Sequence, residues 1–294
     1  MKVVYSDKHQ LHDPQFFIVR GKVKRSNEQP ERGARLLAAV QRDGHRIITP
    51  DDHGAAPRAA VHTPQYLRFL ETAYARWREL PDASEEVVAN VHPFPGQPCT
   101  YPDHIVGLAG YHMGDTACPI GAGTWEAATW SAHCATHAAQ LVLDGERAAY
   151  ALCRPPGHHA YVDRANGFCY LNNAAIAAQH LRTVHRRVAI LDLDVHHGNG
   201  TQGIFYRRPD VLTVSLHADA HNTTPFFVGH AHETGEGDGL GYNINRPLPM
   251  GTGDEGYLAA LRRVFLDIQA FAPGALVVAL GPVSYTHLTL PTKA

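Results

Sequence analysis

The sequence has no long apolar run and no excess of charge of either sign. Its formal net charge is -2, and the basic run at 20–25 is short, so neither nucleic acid nor an anionic membrane is an expected partner. No segment approaches the roughly 18 consecutive apolar residues that a membrane span requires. The N-terminal stretch MKVVYSDKHQ also lacks the apolar centre of a signal peptide. We therefore expect a cytoplasmic protein.

Cysteine is scarce, with five residues and no CxxC pair. An odd number without paired spacing favours reduced thiols over a disulfide framework. Cys153 and Cys169 flank one of the motifs described below. We interpret both as small packing residues rather than as nucleophiles.

The 294 residues are 44% hydrophobic and 18% charged, which is enough to bury a core in one large domain or in two smaller ones. Apolar runs that predict strands alternate with segments of helical periodicity. Strand, helix and strand in succession form the crossover unit of a parallel sheet. We therefore predict an α/β fold with a mostly parallel sheet. Strands are predicted at 2–5, 45–48, 150–153, 188–191, 211–216 and 275–280, and helices at 29–42, 63–80, 124–143, 172–185, 202–206 and 254–271.

The stretch VAILDLDVHHGNG at 188–200 is the most informative. An apolar strand ends in alternating polar residues, and alternation along an extended chain would place Asp192, Asp194 and His196 on the same side. A carboxylate beside an imidazole suits Zn²⁺ or a similar divalent ion. The alternative is a strand end with a capping aspartate and solvated histidines.

A second motif, RPPGHH, ends in His158 and His159, and GFCYLNN follows at 167–173. Two prolines and a glycine stiffen and turn the chain directly before the paired imidazoles. Fixed imidazoles are what acid–base chemistry needs. The alternative is a turn with two surface histidines.

Two long loops carry less specific signals. The loop at 218–240 contains Phe226 and Phe227, which fit either the wall of a narrow apolar channel or packing beneath the loop. The loop at 81–101 has no periodicity, and it is compatible with a contact between subunits or with an exposed meander.

The motifs PPGHH, GFCYLNN, DLDVHHGNGT and VSLH, in this order over 155–217, resemble those of the histone deacetylase family. The bacterial branch of acetylpolyamine amidohydrolases and histone deacetylase-like amidohydrolases is the most similar, and TWEAA at 124–128 is typical of it. The resemblance implies a three-layer arginase/deacetylase α/β fold over 1–281. It also implies zinc-dependent removal of acetyl groups from acetylpolyamine or acetyl-lysine substrates, and a homodimer.

The resemblance also assigns roles to individual residues. Asp194 and His196 would be zinc ligands, and His158 and His159 would be the general base and general acid beside the metal-bound water. Asp192 would hold one imidazole by a hydrogen bond.

Further roles follow from the same resemblance. Asn199 stands where many relatives have an aspartate that supports His159, and an amide supports an imidazolium less well. Gly167, Phe168 and Phe227 would line the acyl channel. A buried monovalent cation, normally potassium, would bind Asp192, Asp194, Ser215 and the carbonyl groups of His196 and Leu216.

The sequence departs from the family pattern in two places. After Gly281 the family pattern continues with an aspartate, the third zinc ligand, and later with a tyrosine that stabilises the oxyanion. Here Pro282 follows, nothing rich in glycine precedes Tyr285, and 282–294 has no family counterpart and resembles a translated artefact. We therefore expect a nearly inert chain, since catalytic zinc sites usually have three protein ligands. Ala117 also replaces a usual acidic residue, which weakens the polyamine assignment.

Two other functions remain open at this stage. An arginase-type ureohydrolase would share the fold class but needs two manganese ions and more carboxylates than the segment around 196–199 supplies. A non-catalytic relative would bind acetylated ligands or a partner protein without releasing acetate.

Overall fold

The computed structural model describes residues 1–281, in which helices alternate with mostly parallel strands as predicted. The chain divides into two compact units, Met1–Ile176 and Ala177–Ala294. The predicted α/β class with parallel sheets is confirmed, whereas the predicted tail at 282–294 lies outside the described residues. No helix within 1–281 is long and apolar enough to cross a membrane.

The first unit contains a parallel three-stranded sheet in the order β4-β1-β5 and an antiparallel hairpin of β2 and β3. Its strands are β1 Lys2–Val4, β2 Phe16–Val19, β3 Lys22–Arg25, β4 Arg46–Ile48 and β5 Ala149–Ala151. Its helices are α1 Pro30–Arg42, α2 Ala56–Ala59, α3 Pro64–Trp77, α4 Ile105–His112 and α5 Thr124–Leu143. Helix α6, Asn173–Leu181, begins in this unit.

Helix α3 begins as its sequence predicts. The Thr63 hydroxyl accepts a hydrogen bond from the Tyr66 N–H at 3.4 Å, and Pro64 occupies the first turn, where no N–H partner is needed. The apolar side of the helix then packs into the main core of the unit. Tyr66, Phe69 and Leu70 are buried in that core together with Met113.

The hairpin of β2 and β3 was not predicted, because only a basic run at 20–25 was recognised in the sequence there. Arg20 and Gly21 connect the strands with φ angles of 51° and 72°. Positive φ at both central residues is what a two-residue type I′ hairpin turn requires. The basic segment is therefore an exposed β-strand.

The second unit has a four-stranded parallel sheet in the order β8-β7-β6-β9. Its strands are β6 Val188–Asp192, β7 Val211–Ala218, β8 Asn243–Leu248 and β9 Ala275–Ala279, and its helices are α7 Asn199–Phe205 and α8 Asp254–Phe271. Every residue of β6 and β7 is buried, as expected for central strands that are covered on both faces. Helix α8 buries Val264, Ile268 and Phe271 in the core that these strands share.

A buried ion pair holds the chain that leaves β5. The Arg154 Nε and the Glu28 Oε1 are 2.7 Å apart, and both side chains are 3% exposed. The same guanidinium donates hydrogen bonds to the carbonyl groups of His9 and His12. One side chain thereby ties the N-terminal segment to the start of the RPPGHH motif.

We predict that Arg154→Met lowers the free energy of unfolding by about 3 kcal/mol, the lower end of the range for a broken buried pair, because the Glu28 carboxylate loses its buried partner and keeps only Arg32, whose side chain is 27% exposed. Arg207→Met is the control. Arg207 pairs with Glu236 at 2.9 Å on the surface, where both side chains are more than half exposed, so its loss should cost less than about 1 kcal/mol. Urea denaturation measures both, and equal losses would contradict a special role for the buried pair.

Candidate active site

The two predicted zinc ligands lie in the loop directly after β6. The expectation that strand alternation aligns Asp192, Asp194 and His196 is wrong, because the strand ends at Asp192. Two side-chain turns connect them instead. The Asp192 carboxylate accepts a hydrogen bond from the Asp194 N–H at 3.0 Å, and the Asp194 carboxylate accepts one from the His196 N–H at 2.7 Å.

This geometry fits a zinc ion. The Asp194 Oδ1 and the His196 Nδ1 are 3.2 Å apart. Two ligands of one tetrahedral zinc, each about 2.0 Å from the metal, lie roughly 3.3 Å apart. Asp194 is 8% exposed, and a buried carboxylate calls for a compensating cation. The described residues thus supply two suitable protein ligands at this place.

Strand β9 brings the chain close to the same carboxylate. A Cβ atom at Gly281 would overlap the Asp194 carboxylate group. Only glycine fits at this position without displacing Asp194.

The residues predicted to bind a monovalent cation are partly brought together. Asp192 pairs in register with Ser215 on the neighbouring strand β7, and Leu216 follows it. All three are buried. The Ser215 hydroxyl also lies 2.8 Å from the His217 Nδ1. The cation itself remains a prediction.

The predicted proton-transfer pair lies in the first unit. The rings of His158 and His159 are 4.0 Å apart between centroids, and His159 is 4% exposed. A solvated surface turn is therefore not the environment of His159. The surrounding segment is tightly packed, because a Cβ atom at Gly157 would lie 2.5 Å from the Asn173 backbone nitrogen.

Two asparagines of the GFCYLNN motif hold the segment that carries the histidine pair, a role that sequence reasoning missed. The Asn172 side chain donates a hydrogen bond to the Ala160 carbonyl at 3.0 Å, and the Asn173 side chain donates one to the Pro155 carbonyl at 3.1 Å. Ser131 of α5 donates to that same carbonyl at 2.9 Å. The motif NN was recognised in the sequence, but its partners are distant along the chain.

The predicted channel residues Gly167 and Phe168 form a tight turn with φ angles of 51° and 68°. The Asp115 carboxylate fixes it, since it accepts a hydrogen bond from the Gly167 N–H at 3.0 Å and from the Asn166 side chain at 3.1 Å. The Phe168 ring meets the Phe17 ring edge to face at 5.8 Å. Phe17 belongs to the unpredicted hairpin, so the sequence analysis did not single it out.

Two other predicted site residues lie in the second unit. Asn199 is the first residue of α7, and it is buried. Phe227 is 88% exposed in the loop after β7. The support of an imidazole by Asp192 and Asn199, and the channel role of Phe227, remain predictions.

Several buried groups are held in their neutral forms. Burial lowers the pKa of His62 to about 4, and burial together with the Arg154 charge lowers the pKa of His12 to about 3. The His62 Nε2 accepts a hydrogen bond from the Asn172 N–H at 3.0 Å, which requires an unprotonated nitrogen. Burial also raises the pKa of the Cys153 thiol to about 12, which argues against a nucleophile.

A histone deacetylase domain model matches residues 26–287. Acetylpolyamine amidohydrolase from Burkholderia pseudomallei is 50% identical over 272 residues, which cover 92% of this chain and 79% of that protein. Acetylpolyamine amidohydrolase 1 from Pseudomonas aeruginosa is 45% identical over 291 residues, which cover 97% of this chain and 83% of that protein. A crystal structure of acetylpolyamine aminohydrolase from B. pseudomallei superposes with a TM-score of 0.93 at 47% identity, covering 97% of this chain and 83% of that one.

The chain therefore belongs to the histone deacetylase family. Within the family it falls in the acetylpolyamine amidohydrolase branch, whose members are hydrolases. The family and the enzyme class expected from the motifs are confirmed.

We predict that Gly167→Ala displaces the His159 ring, because a Cβ atom at this position would overlap the imidazole. Gly21→Ala is the matched control, since Gly21 also has positive φ but nothing lies within 4 Å of its added Cβ. Each substitution should cost about 1–2 kcal/mol for the backbone conformation, and Gly167→Ala about 1–3 kcal/mol more for the overlap. Denaturation measures the loss of stability in both variants, and the NMR resonances of His159 report on its ring. Unchanged His159 resonances in Gly167→Ala would contradict the predicted displacement.

We predict that acidification from pH 6.5 to pH 4 lowers the free energy of unfolding. In the unfolded chain His12 and His62 bind protons near pH 6.5, whereas in the folded chain they do so near pH 3 and pH 4. The unfolded state therefore binds more protons in this range, so the free energy of unfolding decreases as the pH is lowered. His12→Gln should flatten the dependence, whereas His232→Gln, at an exposed position, should not. Parallel curves for all three proteins would argue against this origin.

Proposed function

We propose that the chain is a zinc-dependent amidohydrolase that removes acetyl groups from small N-acetylated amines. The observation that carries the proposal is the Asp194 Oδ1 to His196 Nδ1 distance of 3.2 Å at a buried strand end. Membership of the acetylpolyamine amidohydrolase branch supports the substrate class. Zinc and potassium are the proposed cofactors.

The proposed chemistry divides between the metal and the histidines. When it is bound, zinc polarises the acyl oxygen and lowers the pKa of its water. Of His158 and His159, one imidazole accepts a proton from the attacking water, and the other donates a proton to the departing amine nitrogen. The close packing around Gly157 restricts the backbone directly before the two rings, which favours their fixed positions.

The substrate is proposed at the level of an acetylated amine. Relatives named acetylpolyamine amidohydrolase favour a polyamine, and a cationic polyamine favours carboxylates at the channel rim. Asp115, an acidic side chain near this region, uses its carboxylate to fix the turn at Gly167. Acetylpolyamines and acetyl-lysine peptides are therefore both appropriate probes.

The proposal includes a low activity for this sequence. Pro282 stands where the family pattern has the third zinc ligand, and a proline side chain has no donor atom. Two protein ligands bind zinc more weakly than the usual three. A homodimer through the loop at 81–101, where Phe94 is 80% exposed, is a further part of the proposal.

We predict that Pro282→Asp raises the affinity for zinc by at least about 10-fold, because a direct ligand should contribute no less than the groups that only support a ligand, which contribute about 10- to 100-fold. Val283→Asp adds the same charge one residue later and is the matched control. Zinc affinity is measured by competition with a chelator, and acetate release is measured with an acetylated diamine and with an acetyl-lysine peptide.

The outcomes separate the parts of the proposal. Rapid zinc-dependent acetate release by the unchanged chain would contradict low activity. Equal affinity gains from both aspartates would indicate a general charge effect. Binding of the acetylated amine without acetate release from any variant would favour the non-catalytic alternative.

A further inference from the structure

A group of side chains with the donor atoms that metal ions bind lies in the loop that follows β7. A carboxylate oxygen of Asp219 and one ring nitrogen each of His221 and His230 lie within 4.8 Å of one another. None of these residues was assigned a role by the motifs. The group belongs entirely to the second unit.

The first two members are held together by a short turn at the end of β7. The Asp219 N–H donates a hydrogen bond to the Leu248 carbonyl of β8 at 2.9 Å, which anchors the residue to the sheet. The Asp219 Oδ1 accepts a hydrogen bond from the His221 N–H at 3.0 Å and lies 2.8 Å from the His221 Nδ1. The carboxylate and the imidazole are therefore adjacent in the fold itself.

His230 is positioned from the other side of the loop. Its carbonyl accepts hydrogen bonds from the Glu233 N–H at 3.1 Å and from the Asn245 side chain of β8 at 3.2 Å. The Glu233 carboxylate in turn accepts bonds from the Gly229 N–H at 2.9 Å and the Gln202 side chain at 2.7 Å. Partly buried hydrogen bonds thus fix the backbone on both sides of His230.

The two imidazoles meet across the loop. The ring centroids of His221 and His230 are 4.5 Å apart, and His232 stacks on His230 at 5.7 Å. Two imidazoles and one carboxylate come from the two ends of the loop. Their three potential ligand atoms lie within 4.8 Å of one another.

We propose that Asp219, His221 and His230 bind a divalent transition-metal ion of the zinc class, at a site separate from Asp194 and His196. One carboxylate oxygen and two imidazole nitrogens form a ligand set that suits zinc and its neighbours, and three protein ligands leave a position for water. The proposal does not rest on the amidohydrolase function.

The bound ion would cross-link the two ends of the segment 222–229. This segment carries the exposed Phe226 and Phe227, and a crosslink reduces the conformational freedom of the loop that it closes. The metal would therefore reduce the backbone freedom of the segment that carries the two aromatic side chains.

Histidine modification resolved by residue tests the site in the full chain. The protein is treated with diethyl pyrocarbonate with and without Zn²⁺, and the modification of each histidine is followed by mass spectrometry. A metal-bound imidazole nitrogen is blocked. At a Zn²⁺ concentration about ten times the Kd, we therefore expect modification of His221 and His230 to be about tenfold slower relative to His232, an exposed neighbour. Because the modification of each histidine is measured separately, zinc binding at His196 does not change the interpretation of the data for His221 and His230.

Variants test the ligand set. Asp219→Asn keeps an oxygen that can accept the His221 N–H bond but removes the charge, and His230→Gln removes one ligand. Both should abolish the protection of His221, whereas His232→Gln should leave it intact. Equal protection of all three histidines, no protection of His221 and His230, or a loss with His232→Gln equal to that with His230→Gln would overturn the proposal.

Discussion

The burial of the Arg154 guanidinium is the constraint on which the first unit depends. A charge at 3% exposure is stable only with a close partner, and Glu28 supplies it at 2.7 Å. The carbonyl groups of His9 and His12 accept further hydrogen bonds from the same guanidinium. Because Arg154 directly precedes the prolines before His158, this arrangement fixes where the histidine pair begins.

In the second unit, aspartate carboxylates hold the chain where it leaves the sheet. At the end of β6 the chain leaves a fully buried strand. The Leu193 N–H still donates a hydrogen bond to the Ala279 carbonyl of β9, and the Asp194 and His196 N–H groups bond to side chains instead. The carboxylates of Asp192 and Asp194 accept bonds from the N–H groups two residues further on. The side chains that satisfy the backbone are the same ones that would bind cations, so folding and metal binding use one set of groups.

Regular elements could be predicted from the sequence where one local signal was strong. The bounds of α5 and α8 agree with the predicted ones, since each has a sustained helical pattern and ends in a loop. Helix α4 was missed, because Ile105–His112 is a short apolar run that fits strand or helix equally well. Its Gly110 is needed for close packing, as a Cβ there would overlap the Val91 carbonyl, and no local pattern reveals that.

The motifs of the candidate site could be predicted from the sequence, but most of the side chains that hold those motifs in position could not. The paired histidines and the Asp–His step stood out because polar residues followed apolar strands. Asp115, Phe17 and Ser131 did not, since each acts on a segment far away in the sequence. Arg20 was also missed, because positive φ is uncommon for arginine and a turn there has little sequence signal.

The two proposed metal sites differ in the number of ligands that this sequence gives them. Asp194 and His196 provide two protein donors, whereas the loop after β7 provides three. Burial favours charge compensation at Asp194, but it does not replace a missing donor atom, because zinc holds its ligands by direct bonds. Limiting zinc should therefore occupy the loop before the strand-end pair in this chain. Gly281 leaves no room for a Cβ atom beside the Asp194 carboxylate, so the strand-end pair keeps its geometry only with glycine at that position.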